Sequence, residues 1–193
     1  MTQGPDASFT ELRTPRLVIR RFTLADAEAF SAYRSDPEVA RYQGWDAPYD
    51  VGQAIAFISG LADPCTPGEW YQLAVTADGR LVGDVALYTD ADPRLGRIGF
   101  TLARHAHGHG YATEAVRAIL DYAFDRGAHR IAADCDTRNQ RSVGLLERVG
   151  MRREGHLRAS AWCKGEWTDE YLYAILADEW PTSRSAQSAG PGL

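Results

Sequence analysis

His107-Gly108-His109-Gly110-Tyr111-Ala112-Thr113-Glu114-Ala115 is the stretch on which the reading of this chain turns. Two glycines stand two apart, and a helix-forming segment opens directly after them. Upstream, Arg97-Ile98-Gly99-Phe100-Thr101-Leu102-Ala103 alternates as a strand does. A strand, a glycine turn and a helix N-terminus together form a phosphate cradle. Glycine lets the backbone come close to an anion and take left-handed dihedrals. The unpaired N–H groups of the first helical turn point at that anion, aided by the helix dipole. A Walker loop would need a lysine after the second glycine, and none is present. A dinucleotide fingerprint would need a third glycine where Thr113 stands. No acidic ribose-binding residue is clearly placed about 20 residues on.

A second segment narrows the choice. After a helix over 111–127 and a strand Arg130-Ile131-Ala132-Ala133-Asp134-Cys135 comes Asn139-Gln140-Arg141-Ser142-Val143-Gly144-Leu145-Leu146-Glu147-Arg148-Val149-Gly150-Met151. The pair of segments resembles the GNAT superfamily of acyl-CoA-dependent N-acyltransferases. In that family Gln/Arg-x-x-Gly-x-Gly/Ala opens the helix that binds the coenzyme A pyrophosphate, and Asn-x-x-Ser-x-x-Leu followed by Gly-Phe lies on the next helix. Here His107 replaces the Gln or Arg, and Met151 replaces the Phe. The opening Leu12–Phe22 is similar to the first strand of the RimJ/RimL-like branch, which is named for N-terminal acetyltransferases of ribosomal proteins. Trp167–Leu176 with Trp180 is similar to its last strand.

The chain has 193 residues, enough for one domain with a substantial core. No apolar run reaches the 18 or so residues of a membrane span, and no leader pattern opens the chain. Both observations point to the cytoplasm and to no membrane partner. Cys65, Cys135 and Cys163 are widely spaced and show no metal spacing, which suits a reducing compartment and argues against a disulfide. A net charge of −5 disfavours general nucleic-acid binding. It suits a cationic acceptor, or solubility alone.

Residues 1–10 and 182–193 read as flexible tails around one domain at 11–181. Strand 17–22 precedes a helix over 24–34 capped by Thr23, and further helices are expected from Asp36 and over 50–62. Strands follow near 69–77 and 80–90, with Asp78-Gly79 as a hairpin turn, and near 95–103. Strand 130–136, helix 139–148 and strands 153–163 and 168–177 close the chain. This order is α+β, or mixed α/β. It implies the GNAT fold, a mostly antiparallel twisted sheet of about seven strands flanked by about four helices.

Acyl transfer from a thioester to an amine requires the amine to lose a proton, donors for the oxyanion, and a proton for the leaving thiolate. The resemblance implies that Leu102, Ala103 and Arg104 bind the pantetheine arm through a splayed strand. It further implies that Gly108, His109, Gly110, Ala112 and Thr113 hold the pyrophosphate. Asn139 would bond the coenzyme or cap its helix, or do both. Ser142 is the candidate general acid. Asp134 and Glu170 are candidate bases beside Asp84 and Asp136, and a water chain is the alternative. Tyr42, Trp45 and Trp162 are candidate acceptor contacts. The His105, His107 and His109 row lacks ligand partners, so no metal is expected. The implied donor substrate is acetyl-CoA, the acceptor a protein N-terminus or small amine, and a homodimer stays open. A succinyl-CoA-type transferase and a non-catalytic CoA-sensing module are the alternatives.

Overall fold

The computed structural model describes residues 9–61 and 66–181; the expected tails and Cys65 fall wholly or almost wholly outside them. Among these residues lie eight strands and five α-helices: β1 (Glu11–Arg13), β2 (Leu17–Arg21), α1 (Ala27–Arg34), α2 (Pro37–Ala40), α3 (Val51–Ser59), β3 (Trp70–Ala77), β4 (Arg80–Thr89), β5 (Leu95–Leu102), α4 (Tyr111–Asp125), β6 (Arg130–Asp136), α5 (Gln140–Arg148), β7 (Arg152–Cys163) and β8 (Glu166–Leu176). One sheet runs in the order β1-β2-β3-β4-β5-β6-β8-β7. Every pairing is antiparallel except β5 with β6. This is the mixed α+β GNAT architecture, with the five helices read from the sequence and one strand more.

The extra strand arises at the beginning of the chain. The stretch Leu12–Phe22 is not one strand; Thr14-Pro15-Arg16 turns it back on itself, so that Leu12 faces Ile19. Proline has no N–H to give to a ladder, which makes the break at Pro15 a natural one. Thr23 opens a short 3-10 turn at Leu24–Asp26 rather than the α-helix itself. Asp26 there accepts bidentately from Arg20 at 2.8 Å.

Helices cover both faces. Tyr71 of β3 meets Phe9, which meets Tyr122 of α4. The next residue, Gln72, faces the other way and reaches Asp84, which also accepts from Tyr33 of α1. Successive strand residues point to opposite faces, so α4 and α1 lie on opposite sides. The core joins them through Leu17, Ile19, Leu73, Val75, Val85, Ile119, Leu120, Ile131 and Ile175, each at most 2% exposed. The α4 stripe buries Ala115, Val116, Ile119, Leu120 and Ala123, spaced as an amphipathic helix requires. Trp180 after β8 locks onto α4 through Asp121 at 2.7 Å.

Two irregularities shape the middle of the sheet. β3 and β4 slip register so that Val75 faces Gly83 and Thr76 faces Leu81, a bulge around Val82. Beside it, a Cβ on Gly83 would press into the Thr101 carbonyl and the Leu102 backbone, so β4 and β5 approach closely only because residue 83 is glycine. The second is the parting of β5 and β6, which pair only from Leu95–Arg97 to Arg130–Ala132. Gly83→Ala is expected to lower unfolding stability by about 1–3 kcal/mol. A denaturant melt reads this, and an unchanged midpoint would show that the two strands have room to spare.

Candidate active site

The parting of β5 from β6 leaves backbone groups without strand partners. Ala103 donates to Val82 and Asp90 to Leu95, both at 2.9 Å, so the odd residues of β5 bond β4. Arg94 accepts from Arg130 of β6 at 3.0 Å, so the even residues face the other way. Beyond Arg97 the even residues Ile98, Phe100 and Leu102 therefore turn their N–H and C=O groups into the gap. Ala103, expected from sequence to meet the coenzyme arm, spends its N–H on Val82, whereas Phe100 and Leu102 turn their groups into the gap. Arg104 accepts at its carbonyl from the His107 N–H at 3.2 Å, and its guanidinium stands 3.9 Å from Asp36.

At the end of this gap the glycine turn opens α4. Gly108 has φ +81° and Gly110 φ +79°, both left-handed. Such dihedrals cost another residue about 1–2 kcal/mol. Gly110 is the N-cap, and no side chain caps the helix. The first helical bond is Glu114 N–H to Gly110 C=O, so the N–H groups of Tyr111, Ala112 and Thr113 are left over at a positive helix end. These residues, with Phe100 to Leu102 and the α5 residues Asn139, Ser142 and Leu145, line a cleft of about 1310 Å³.

Arginines line the same cleft. Arg117 reaches the Arg148 carbonyl, and Arg148 reaches the Thr113 hydroxyl, each at 3.4 Å. Arg141 donates to His107 Nδ1 at 3.0 Å. Among the described residues none of the three has a carboxylate partner. In a chain of net charge −5, three unmatched guanidiniums around a helix N-terminus mark an anion site. The sequence reading passed over them, although Arg141 and Arg148, seven apart, share a helical face. Because arginine only donates, His107 Nδ1 must accept and its Nε2–H must donate to Leu102 O at 2.9 Å. Here Arg141 brings a positive charge to the glycine loop.

The histidine row does not converge. His109 donates from Nδ1 to the His107 carbonyl at 2.9 Å and stacks on Tyr111. Among the described residues no group of His, Cys, Asp and Glu is arranged to hold a metal.

Ser142 lies in the cleft, and its N–H is capped by Asn139 Oδ1 at 3.2 Å, so Asn139 is the N-cap of α5. The candidate bases are elsewhere. Asp134 pairs with Arg97 where β5 and β6 part, Glu170 accepts from Ser160 at 2.8 Å, and neither lines the cleft. Asp136 is held by Arg138. Asp84 is enclosed; burial raises its carboxyl pKa against the pull of Arg34, Tyr33 and Gln72, and it ties α1 to the sheet. Glu38, missed in the sequence, lines the cleft from α2, and its carboxylate has no partner among the described residues.

Tyr42 lines the cleft beside Arg41, whose guanidinium lies 5.3 Å from its ring. Trp45 packs instead on Arg34 at 3.9 Å and donates to the Arg34 carbonyl, away from the cleft. Trp162 stands on the β7–β8 hairpin, 61% exposed, edge-on to Trp167. That hairpin is tied to the loop before α3 through Lys164 and Asp46 at 3.0 Å.

Residues 16–152 match the Acetyltransferase (GNAT) domain. The chain belongs to the GNAT acetyltransferase family. It is an N-acetyltransferase that uses an acyl-CoA. It is 33% identical to the "Uncharacterized N-acetyltransferase YnaD" of Bacillus subtilis, over 88% of this chain and 98% of the relative. It is 31% identical over 88 residues to the [Ribosomal protein uS5]-alanine N-acetyltransferase of Escherichia coli, 45% of each chain. RimJ of Mycobacterium smegmatis, solved in complex with CoA-disulfide, superposes with a TM-score of 0.78 at 29% identity, covering 88% of this chain and 86% of that one. Among the described residues no helix is long and apolar enough to cross a membrane.

Cys135 on β6 is the thiol nearest this chemistry in sequence, and it is disarmed. Burial, with Asp134, Asp136, Glu170 and Glu147 around it, pushes its thiol up to about 12. Iodoacetamide at pH 8 is therefore expected to leave Cys135 unmodified in the native protein and to label it after denaturation, as peptide mass spectrometry reads. Rapid native labelling would contradict this placement.

Proposed function

We propose that the protein transfers an acetyl group from acetyl-CoA to a primary amine, a protein N-terminus or a small amine, by direct attack in a ternary complex. The observation that carries this reading is the uncapped N-terminus of α4, opened by two left-handed glycines and surrounded by Arg117, Arg141 and Arg148. Its N–H groups would receive the pyrophosphate, and the arginines would balance the remaining phosphate charge. The pantetheine arm, an extended diamide, would pair with Phe100 and Leu102 as an added strand. Arginine and backbone donors can position the two substrates with no metal involved.

Ser142, which lines the cleft, would protonate the thiolate as it leaves. The acceptor amine would enter past Tyr42 and Glu38, whose unpartnered carboxylate attracts a cation, and lose its proton to water rather than to Asp134 or Glu170. The disarmed Cys135 favours direct attack over a covalent acyl-cysteine. A succinyl donor is the second reading, favoured by Arg41. That guanidinium lines the cleft and has the Tyr42 ring as its partner.

A thermal-shift titration with acetyl-CoA, succinyl-CoA, free CoA and NAD tests the donor. A hundredfold excess over Kd stabilises the fold by about 2.7 kcal/mol. Acetyl-CoA is expected to raise the midpoint and NAD to leave it unchanged; a larger response to succinyl-CoA would select the second reading, and no response to any CoA species would overturn both. Gly110→Glu places bulk and negative charge in the cradle and is expected to abolish that response. Ser142→Ala is expected to lower kcat about 10- to 100-fold with CoA affinity unchanged. Unchanged turnover would remove Ser142 from the mechanism.

A further inference from the structure

The β1–β2 turn, Thr14-Pro15-Arg16, reaches across to the glycine loop nearly 100 residues away. The Glu114 carboxylate, in the first turn of α4, accepts from the Thr14 hydroxyl at 2.6 Å, the Arg16 backbone N–H at 3.0 Å and Arg16 Nε at 2.7 Å. A second guanidinium nitrogen of Arg16 lies 2.5 Å from the same carboxylate. The third donates to the His109 carbonyl at 2.7 Å. The guanidinium also lies 5.0 Å from the Tyr111 ring. All three nitrogens of Arg16 are thus directed at the loop and the first turn of α4.

We propose that Arg16 is a positioning residue that locks the 109–110 peptide in the orientation that binds an anion. This rests on the reading of the cleft as the acyl-CoA site. In a trans peptide the C=O and N–H point in opposite directions, so holding the His109 carbonyl on Arg16 fixes where the Gly110 N–H points. The loop needs such a lock. With glycine at 108 and 110 its peptides rotate at little steric cost, and a flip would present a carbonyl to the phosphate in place of an N–H. Arg16 also neutralises Glu114, which would otherwise set a negative charge one turn from a dianion. Burial works against that charge, but the bonds from Thr14 and Arg16 outweigh it and hold Glu114 below the usual carboxylate range, so it stays ionised at working pH. The half-exposed Arg16 side chain is not part of the core, so its removal spares the fold.

Arg16→Ala, Arg16→Lys, Glu114→Gln and the double variant Arg16→Ala/Glu114→Gln test the proposal through two readouts. The first needs no coenzyme. The backbone order parameter of Gly110 in the free protein is expected to fall from about 0.85 to below about 0.6 in Arg16→Ala. The second is CoA affinity by calorimetry together with kinetics on acetyl-CoA. Arg16→Ala is expected to raise Kd and KM about tenfold or more with kcat within about threefold. Lysine should not restore it, because one ammonium cannot span His109 and Glu114. The double variant should bind CoA better than Arg16→Ala, since it removes the orphaned charge. An unaltered order parameter, or wild-type affinity in Arg16→Ala, overturns the lock. Simple additivity in the double variant assigns Arg16 a direct phosphate contact and overturns the positioning role. If the wild-type protein binds no CoA, the cleft reading fails, while the order parameter still decides the lock.

Discussion

The N-terminus of α4 is a helix end that no side chain among the described residues caps. Three N–H groups are left without partners, and unpaired backbone donors are tolerated only where water or a ligand meets them. The other peculiarities of the site converge on that end. β5 has to part from β6 so that a ligand lying along it can reach the helix, and the chain has to turn from β5 into α4 within a few residues. Glycines at 108 and 110 make that turn with left-handed dihedrals. Gly83 lets β4 lie close against the end of β5 that lines the cleft. A change at any of these positions acts on the same row of donors.

Charge is distributed to the same end. The protein is acidic overall, yet its cleft gathers arginines that have no carboxylate of their own, while most other arginines of the fold do. Arg20, Arg94, Arg97, Arg130 and Arg152 are all paired with Asp or Glu. Carboxylates concentrate instead around β6 and β8, where with burial they raise the Cys135 thiol, and where Arg97 and Arg138 hold Asp134 and Asp136 in ion pairs. The cleft thus has a positive wall for an anionic coenzyme and, in Glu38, one open carboxylate on the side where an amine would enter.

Much of this was legible in the sequence because it depends on local rules. Alternation gave the strands 70–77, 80–89 and 95–102 to within a residue or two, and Asn139 reads as a cap because its side chain suits that position. Gly127 and Gly150 follow their helices with left-handed dihedrals, the local rule for a glycine at a helix C-terminus. What escaped was long-range. Pro15 was visible, but that the turn it makes brings Arg16 onto Glu114 is a tertiary fact. The ion pair of Asp134 with Arg97 depends on where two strands part, which no periodicity encodes. Trp45 looked like a pocket aromatic, and its ring is instead committed to Arg34, a buried cation enclosed by Phe30, Tyr49 and Phe57 as well.

The central claim is that the free donors of α4 and of splayed β5 receive a CoA. Titrating ¹⁵N-labelled protein with CoA and following each backbone amide tests it most directly. The account predicts the largest shifts at Gly110, Tyr111, Ala112 and Thr113, with a second group at Phe100 and Leu102. Saturable shifts that leave these six amides unmoved and cluster elsewhere, on the β7–β8 hairpin for example, would contradict it.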